Sequence, residues 1–225
     1  LALASYTDLA TLVNSLKFAP VHGILFDFGM SSHHLETSRR GFSFQKDEDL
    51  DMRYSRGSEE TAAGILTNRG REELEKIFKE YGEERFAGKI AAEVVAARRK
   101  TPIRRTGDLV AIIRKATPRW YQRQHLHFAA KVFQALRIAV NRELENIGGG
   151  LEAAAKIIAP SGRVVAISFH SLEDRIVKNF FRREDIKKIF KTLTKRPIYP
   201  SREEIKINPR ARSARLRAFE KQTAS

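Results

Sequence analysis

Two apolar stretches of the sequence end abruptly in residues that could do chemistry. The first carries Asp27 near its end and is followed by Ser31 and Ser32. The second ends at His170. Carboxylates and hydroxyls accept hydrogen bonds, and an imidazole with a pKa of about 6.5 exchanges a proton near neutral pH. The two ends therefore offer groups for binding a polar ligand and for moving a proton.

Both stretches are predicted to be buried parallel strands, because each is a short apolar run that stops at small and polar residues. The runs are Val21 to Phe28 and Arg163 to Phe169. In open α/β sheets, ligands bind at the carboxyl ends of the strands, so we expect the two ends to face one cleft. Strand ends of this kind also occur without an active site, and a purely structural role stays open.

The elements that must position these ends are mostly helical. A long polar loop and several helices follow the first strand, one of them with Ser58 as its cap. An amphipathic helix is predicted from about Phe128 to Ile147, ended by Gly148–Gly150, and Ala214 to Phe219 alternate like a last strand. This order predicts an α/β protein with an all-helical insertion after the first strand.

Three segments are expected from this pattern. Residues 1–36 would form a first, partial piece of the core, and residues 37–127 a loop and helical insertion that recognises the substrate. Residues 128–225 would form the second part of the core.

The charge of the chain is strongly positive and unevenly distributed. The formal net charge is +15, and Arg98 to Arg142 contain twelve lysines and arginines against one acid, Asp108. Fifteen basic residues lie between Arg175 and Arg217. Such blocks are typical of proteins that bind a polyanion, most simply nucleic acid. A solvated basic surface or an anionic membrane surface are the alternatives.

Other classes are excluded or disfavoured by composition. There is no cysteine, so disulfides and thiolate metal sites are excluded, and no apolar run approaches membrane-spanning length. His33 and His34 are adjacent, which is not a metal-ligand spacing, and no metal is predicted. His125 and His127 are expected to face RNA or to be structural.

Seven short motifs are informative as an ordered set. In chain order they are Asp27-Phe28-Gly29-Met30-Ser31-Ser32, Arg39-Arg40-Gly41-Phe42-Ser43-Phe44, Leu50-Asp51-Met52-Arg53, Tyr81-Gly82-Glu83-Glu84-Arg85-Phe86, residues 133–141, residues 167–175 and residues 208–214. Each is short, but the set extends over nearly the whole chain, and together the motifs resemble one known family, the MraW/RsmH family of RNA methyltransferases.

The resemblance implies a partial Rossmann-like class I methyltransferase sheet that carries the helical insertion. It implies transfer of a methyl group from S-adenosyl-L-methionine to the exocyclic N4 of a cytidine in the decoding region of small-subunit rRNA. The resemblance implies that the protein acts on the small ribosomal subunit and does not bind a membrane. The implied location is the cytoplasm, with the mitochondrion as the alternative. A homodimer is left open.

For the cofactor, the resemblance implies contacts from Tyr6, Asp27, Gly29 and His34. The family's glycine-rich cofactor turn and the acid that holds the ribose precede Leu1, so we expect a truncated form with impaired cofactor binding. His34 stands where the family has a glutamine that touches the cofactor.

For catalysis, the resemblance implies Asp27, Ser31, Ser32 and His170. An exocyclic amine is a poor nucleophile, so hydrogen-bond acceptors must orient it and relieve its delocalised lone pair. Asp27 is expected to contact the cofactor rather than act as a base. His170 either accepts the proton or orients its loop, and both readings stay open.

For RNA, cations and aromatic rings near the cleft are the candidates. Phe42 could cover the target base or anchor its loop, and Arg137 and Asn141 could face RNA or pair internally. Arg215 and Arg217 would share one face of the last strand. The predicted RNA-binding residues are Arg40, Phe42, Arg53, Arg137, Asn141, Arg210, Arg212, Arg215 and Arg217.

Three hypotheses follow. The first is an rRNA cytidine-N4 methyltransferase. The others are a non-catalytic RNA-binding relative and a homologue that acts on the mitochondrial ribosome.

Overall fold

The computed structural model describes residues 1–55, 57, 60–124 and 126–223, and of Ser32 it describes the backbone alone. Ser58 and His125 lie outside this part of the chain. The described strands are β1 (Val21–Asp27), β2 (Ile158–Ser168), β3 (Phe190–Thr192) and β4 (Arg215–Lys221). The described helices are α1 (Leu9–Ser15), α2 (Ser32–Glu36), α3 (Ala62–Asn68), α4 (Arg71–Glu80), α5 (Ala87–Arg98), α6 (Thr106–Ala116), α7 (Arg119–Gln122), α8 (Ala130–Asn141), α9 (Glu143–Ile157), α10 (Ser171–Phe180), α11 (Glu184–Lys187) and α12 (Arg202–Ile207), with 3-10 turns at Tyr6–Asp8 and Pro209–Ser213.

The chain forms two compact units. Unit 1 consists of residues 1–29 and 143–225, and unit 2 consists of residues 30–142. The helix α8 therefore belongs to unit 2, whereas the sequence prediction placed it with the second part of the core. The reason is its apolar face: Val132, Phe133 and Leu136 are buried in the core of unit 2.

Unit 1 is built on a four-stranded sheet in the order β1-β2-β4-β3. β1 and β2 are parallel neighbours, and β4 pairs antiparallel with both β2 and β3. The predicted neighbouring parallel strands are confirmed, and so is the last predicted strand. β3 was not among the predicted strands.

Side chains on β1 alternate between the two faces of the sheet. Phe26 and Phe28 are buried in the core of unit 1 together with residues of α9 and α10 such as Leu151 and Val177. Leu25 and Asp27 point to the other face and are exposed, Leu25 by 65%. The side chain of Asp27 therefore leaves the sheet on the less covered face.

The predicted helix over Phe128 to Ile147 is wrong in its bounds. Arg142 adopts a left-handed conformation (φ 49°) and ends α8, and α9 then continues through the three glycines to Ile157. A Cβ atom on Gly150 would lie 2.6 Å from Cδ2 of Tyr6. The glycine lets the tyrosine ring lie against the helix, so here it serves close packing and not helix termination.

Two neighbouring glycines give a matched prediction. We expect Gly150→Ala to destabilise the protein by about 1–3 kcal/mol, because the added methyl overlaps the ring of Tyr6. Gly148→Ala should stabilise it by roughly 0.5–1 kcal/mol, because nothing lies within 4 Å of the new Cβ and alanine favours helix. Thermal and urea unfolding of both variants measure the difference, and equal effects would contradict the packing role of Gly150.

Unit 2 is all-helical around one core. Phe78, Ile90, Leu109, Ile113 and Leu136 are among its fully buried side chains, contributed by α4, α5, α6 and α8. This confirms the predicted helical content of the insertion. No helix within the described residues is long and apolar enough to cross a membrane.

Candidate active site at the ends of β1 and β2

The end of β1 exposes a carboxylate next to a bare stretch of backbone. Asp27 is the last residue of the strand and is exposed. Gly29 has φ 93°, a conformation that side chains rarely adopt. A Cβ there would meet Cδ2 of Phe169 at 3.4 Å and Oε1 of Glu173 at 3.9 Å. Glycine is therefore needed for conformation, and it leaves the main chain open to a ligand.

The end of β2 turns into α10 through a buried glutamate. Oε2 of Glu173 accepts hydrogen bonds from the backbone N–H groups of Phe169 (2.7 Å) and His170 (3.3 Å). Its Oε1 lies 3.1 Å from Nε2 of His170, and the side chain is only 1% exposed. The cap of α10 is His170 and its partner three residues later is Glu173, rather than the adjacent pair Ser171 and Asp174.

Tyr6 and Glu143 complete a polar cluster in unit 1. Burial, together with the nearby carboxylates of Glu143 and Glu173, raises the pKa of Tyr6 to about 12. The ring of Tyr6 packs edge-on against Phe26 and Phe28, with centroids 6.0 and 5.9 Å away. Tyr6 therefore stays protonated at neutral pH and lies on the covered face of the sheet.

The predicted residues of unit 1 thus divide between two faces. His170 lies with Glu143 and Glu173, and one ligand atom from each of these three lies within 4.8 Å of the others. These distances are compatible with a cation site, whereas the sequence predicted no metal. Asp27 points to the other face, and within the described residues no hydrogen bond or ion pair joins it to His170. The structure brings the two strand ends together, but not these two side chains.

In unit 2, two predicted residues contact each other directly. Oγ of Ser31 lies 3.0 Å from Nδ1 of His34. The His34 ring packs on Phe42 and Tyr54, with centroids 5.1 and 4.8 Å away. Burial lowers the pKa of His34, and the charges of Arg40 and other neighbouring cations lower it further. His34 is therefore neutral at pH 7 and can accept a hydrogen bond or a proton.

Several predicted RNA-binding residues of unit 2 hold its loop instead. Nη1 of Arg40 donates to the carbonyls of Arg53 (2.7 Å) and Tyr54 (3.2 Å). Asn141 donates to the carbonyl of Met52 at 2.8 Å and accepts from the N–H of Tyr54 at 2.7 Å. The loop over residues 52–54 is fixed by these contacts.

The remaining unit 2 candidates behave similarly. Arg53 forms an ion pair with Asp51 at 2.7 Å, and Phe42 is 5% exposed in the core. The carbonyl of Arg137 accepts a hydrogen bond of 2.9 Å from Nδ2 of Asn141. Phe42 therefore anchors its loop, and Phe44 is half-buried, packs against the same core and stacks on His127 with ring centroids 4.4 Å apart.

The four arginines near the C-terminal strand have different environments. Arg210 and Arg212 are exposed in a 3-10 turn, and Arg215 is half-buried. Arg217 is buried and binds Asp174 through two hydrogen bonds, of 2.6 and 3.1 Å. The expected pair Arg215 and Arg217 does share a face of β4, but Arg217 is directed at an internal carboxylate.

A family model described as the MraW methylase family matches residues 1–222. The chain belongs to the MraW methylase family. The predicted resemblance is thereby confirmed, and with it the mixed α/β fold of class I methyltransferases.

Curated relatives of this MraW methylase are similar over almost all of its length. It is 46% identical to "Ribosomal RNA small subunit methyltransferase H" of Pelobacter propionicus, a match that covers 96% of this chain and 74% of the relative. The proteins of the same name from Thermomicrobium roseum and Persephonella marina are 47% and 46% identical, with 96% and 95% of this chain covered. Those matches cover 71% and 72% of the relatives.

The sequence did not identify two residues of this candidate site. Glu173 and Glu143 were not among the candidates, yet they lie against His170 and Tyr6. A signal for Glu173 was available, because a glutamate three residues after a helix cap commonly binds the cap's N–H. Glu143 had no comparable signal, since the sequence prediction ran one helix through it.

Proposed function

We propose that this MraW methylase transfers a methyl group from S-adenosyl-L-methionine to the exocyclic N4 of a cytidine in the decoding region of small-subunit rRNA. The observation that carries the proposal is the family match over residues 1–222, joined to relatives named as methyltransferases of small-subunit rRNA. The basic blocks of the chain have the sign that an RNA substrate requires.

The residues at the end of β1 fit a small cationic donor. Asp27 offers an exposed carboxylate, and Gly29 keeps the backbone beside it clear of any side chain. When bound, S-adenosylmethionine supplies an electrophilic methyl group on a positively charged sulfur. Asp27 and the main chain at Gly29 would hold that group, Asp27 by charge and Gly29 by allowing close approach.

The exocyclic amine of cytosine must be oriented before it can react. Its lone pair is delocalised into the ring, so acceptors that bind its hydrogens favour a pyramidal nitrogen and align it for attack. The Ser31 hydroxyl and the neutral ring of His34 are acceptors with the required chemistry, and they contact each other in unit 2. We propose that Ser31 and Ser32 act as acceptors and that His34 takes the place of the family's glutamine.

His170 is proposed to orient the turn after β2 and to receive a proton when one must leave. Its neighbour Glu173 fixes the backbone of that turn through two N–H groups. Oε1 of Glu173 lies 3.1 Å from Nε2 of the ring, and this contact holds the imidazole in one orientation.

RNA is proposed to bind through Arg210, Arg212 and Arg215. Arg210 and Arg212 are exposed, and Arg215 is half-buried. We do not carry Arg217, Arg53, Arg40, Phe42 or Asn141 into this surface, because each is engaged inside the protein. The proposed substrate is the small ribosomal subunit or its rRNA in the cytoplasm.

Methyl transfer to small subunits tests the proposal. Subunits from a strain that lacks this methylation, incubated with isotopically labelled S-adenosylmethionine, should gain one label in the decoding region. Nucleoside mass spectrometry should identify N4-methylcytidine. A label on C5, on a ribose or on the large subunit would contradict the proposed chemistry.

Calorimetry with S-adenosylmethionine separates binding from transfer. We expect weak binding by these 225 residues, because the described sheet carries no glycine-rich turn between a strand and a helix with an acid for the ribose. Tight binding would contradict this expectation. RNA binding without methyl transfer would favour the non-catalytic alternative.

A further inference from the structure

Unit 2 exposes the single tryptophan of the protein. Trp120 lies in α7, and its side chain is 52% exposed. Its neighbour Tyr121 is buried and donates a hydrogen bond of 2.7 Å to Oε2 of Glu84. Phe86 packs edge-on against both rings, with centroids 5.9 Å from Trp120 and 4.9 Å from Tyr121. The indole is therefore held rigidly from one side while much of it stays in contact with water.

Basic residues lie close to Trp120 in space or in sequence. The guanidinium carbon of Arg85 lies 5.5 Å from the Trp120 ring centroid, and Nζ of Lys89 lies 5.9 Å from the Phe86 ring. Arg119 and Arg123 flank Trp120 along the chain and are exposed. We call these five residues, Arg85, Lys89, Arg119, Trp120 and Arg123, the Trp120 surface.

We propose that the Trp120 surface binds a single-stranded segment of RNA, with one unpaired base stacked on the indole and the adjacent phosphates held by its four cations. A rigid, exposed aromatic ring beside arginines is the arrangement that sequence-tolerant binding of single strands requires, since every base presents a flat face. The surface is distinct from the strand ends of unit 1, and the inference rests on the proposed function only in taking RNA as the polymer.

Charge favours RNA over a protein or an apolar partner. The stretch from Arg98 to Arg142, which contains α7, has one acid against twelve basic residues. Glu84, the acid beneath the surface, is buried and binds Tyr121. Tyr121 is buried and Phe86 is half-buried, so among these three rings mainly the indole is exposed, and a single flat ring suits a base better than a protein interface.

The single tryptophan provides a direct measurement. Titration with a 12-nucleotide single-stranded RNA should quench the tryptophan fluorescence in a saturable way, while a duplex of the same length should quench it little. Trp120→Leu should weaken binding of the labelled single strand by about 5- to 150-fold, measured by fluorescence anisotropy. Trp120→Phe should retain part of the affinity.

Matched variants separate stacking from charge. Arg85→Ala should weaken binding and reduce the dependence of affinity on salt, since it removes one phosphate contact. Phe18→Leu changes an exposed aromatic ring of unit 1 and should leave affinity unchanged. Because Trp120 and Arg85 are both largely in water, their variants should keep the thermal midpoint of the wild type, which circular dichroism checks.

Three outcomes would overturn the proposal: no quenching by single strands, equal quenching by duplex, or wild-type affinity in Trp120→Leu. A blue shift with phosphatidylserine vesicles but no response to RNA would instead assign the surface to a membrane. Methyl transfer to small subunits is scored separately. Fluorescence quenching by RNA without N4 methylation would contradict only the proposed function. N4 methylation together with unchanged RNA affinity in Trp120→Leu would contradict only this inference.

Discussion

Replacing Asp27 by alanine in the methyl-transferring protein is expected to lower kcat by about 10²–10³-fold, the usual effect of removing one group that stabilises the reacting charges. The unfolding free energy should change by less than about 0.5 kcal/mol, because Asp27 is exposed at the end of β1. Labelled methyl transfer and thermal unfolding measure the two effects on the same preparation. Loss of activity without loss of stability is the signature of a group that acts on ligands.

His22 is the matched control for Asp27. It is exposed on the same strand, and His22→Ala should leave both activity and stability near wild type. Asp27→Asn keeps the size and the hydrogen-bond acceptor but removes the charge, so it separates attraction for the sulfonium from hydrogen bonding. Turnover close to wild type in Asp27→Ala would remove Asp27 from the site.

The strands could be predicted because each buried strand is a run of consecutive apolar residues. Val164 to Phe169 form a nearly continuous apolar run, and this pattern requires cover on both faces. The parallel pairing of β1 and β2 also followed, since a helical excursion separates them. β3 could not be predicted, because Phe190–Thr192 are three residues that pair only through β4.

The course of α8 and α9 could not be predicted from local rules. Three glycines normally end a helix, and the propensity cost argues for it. Here the ring of Tyr6, from a distant part of the chain, occupies the space that a side chain at Gly150 would need. The break occurs instead at Arg142, in a left-handed conformation that the sequence does not announce.

The roles of polar residues were the least predictable part of the site. Asn141 and Arg40 occur in motifs that suggested RNA contacts, yet they bind carbonyls of the loop over residues 52–54. Asn141 finds those partners more than 80 residues away, and no local pattern encodes such a distance. The same uncertainty affects every arginine of a basic block, because the sequence does not distinguish an exposed arginine from one that forms an internal ion pair.

Arg217→Ala is expected to destabilise the protein by about 3–5 kcal/mol, because it leaves the carboxylate of Asp174 buried without its main partner. The two side chains are 9% and 11% exposed and meet in a bidentate geometry. For a chain of this size such a loss lowers Tm by at least roughly 6 °C. Arg215→Ala, which removes a longer contact of 3.6 Å from a half-exposed side chain, should cost less than about 1 kcal/mol.

The pH dependence of unfolding distinguishes a charged pair from simple packing. Burial would raise the pKa of Asp174, but the hydrogen bonds and charge of Arg217 outweigh burial and lower it. The pair therefore stabilises the fold fully above the unfolded carboxyl pKa of about 3.9, and this contribution is lost as pH falls toward the lower folded pKa.

Two variants test the charged pair. Arg217→Ala should remove that acid dependence. The double variant Asp174→Asn with Arg217→Met should be more stable than Arg217→Ala because no charge stays buried. An Arg217→Ala protein as stable as wild type would place Arg217 in solvent and return it to the RNA-binding candidates.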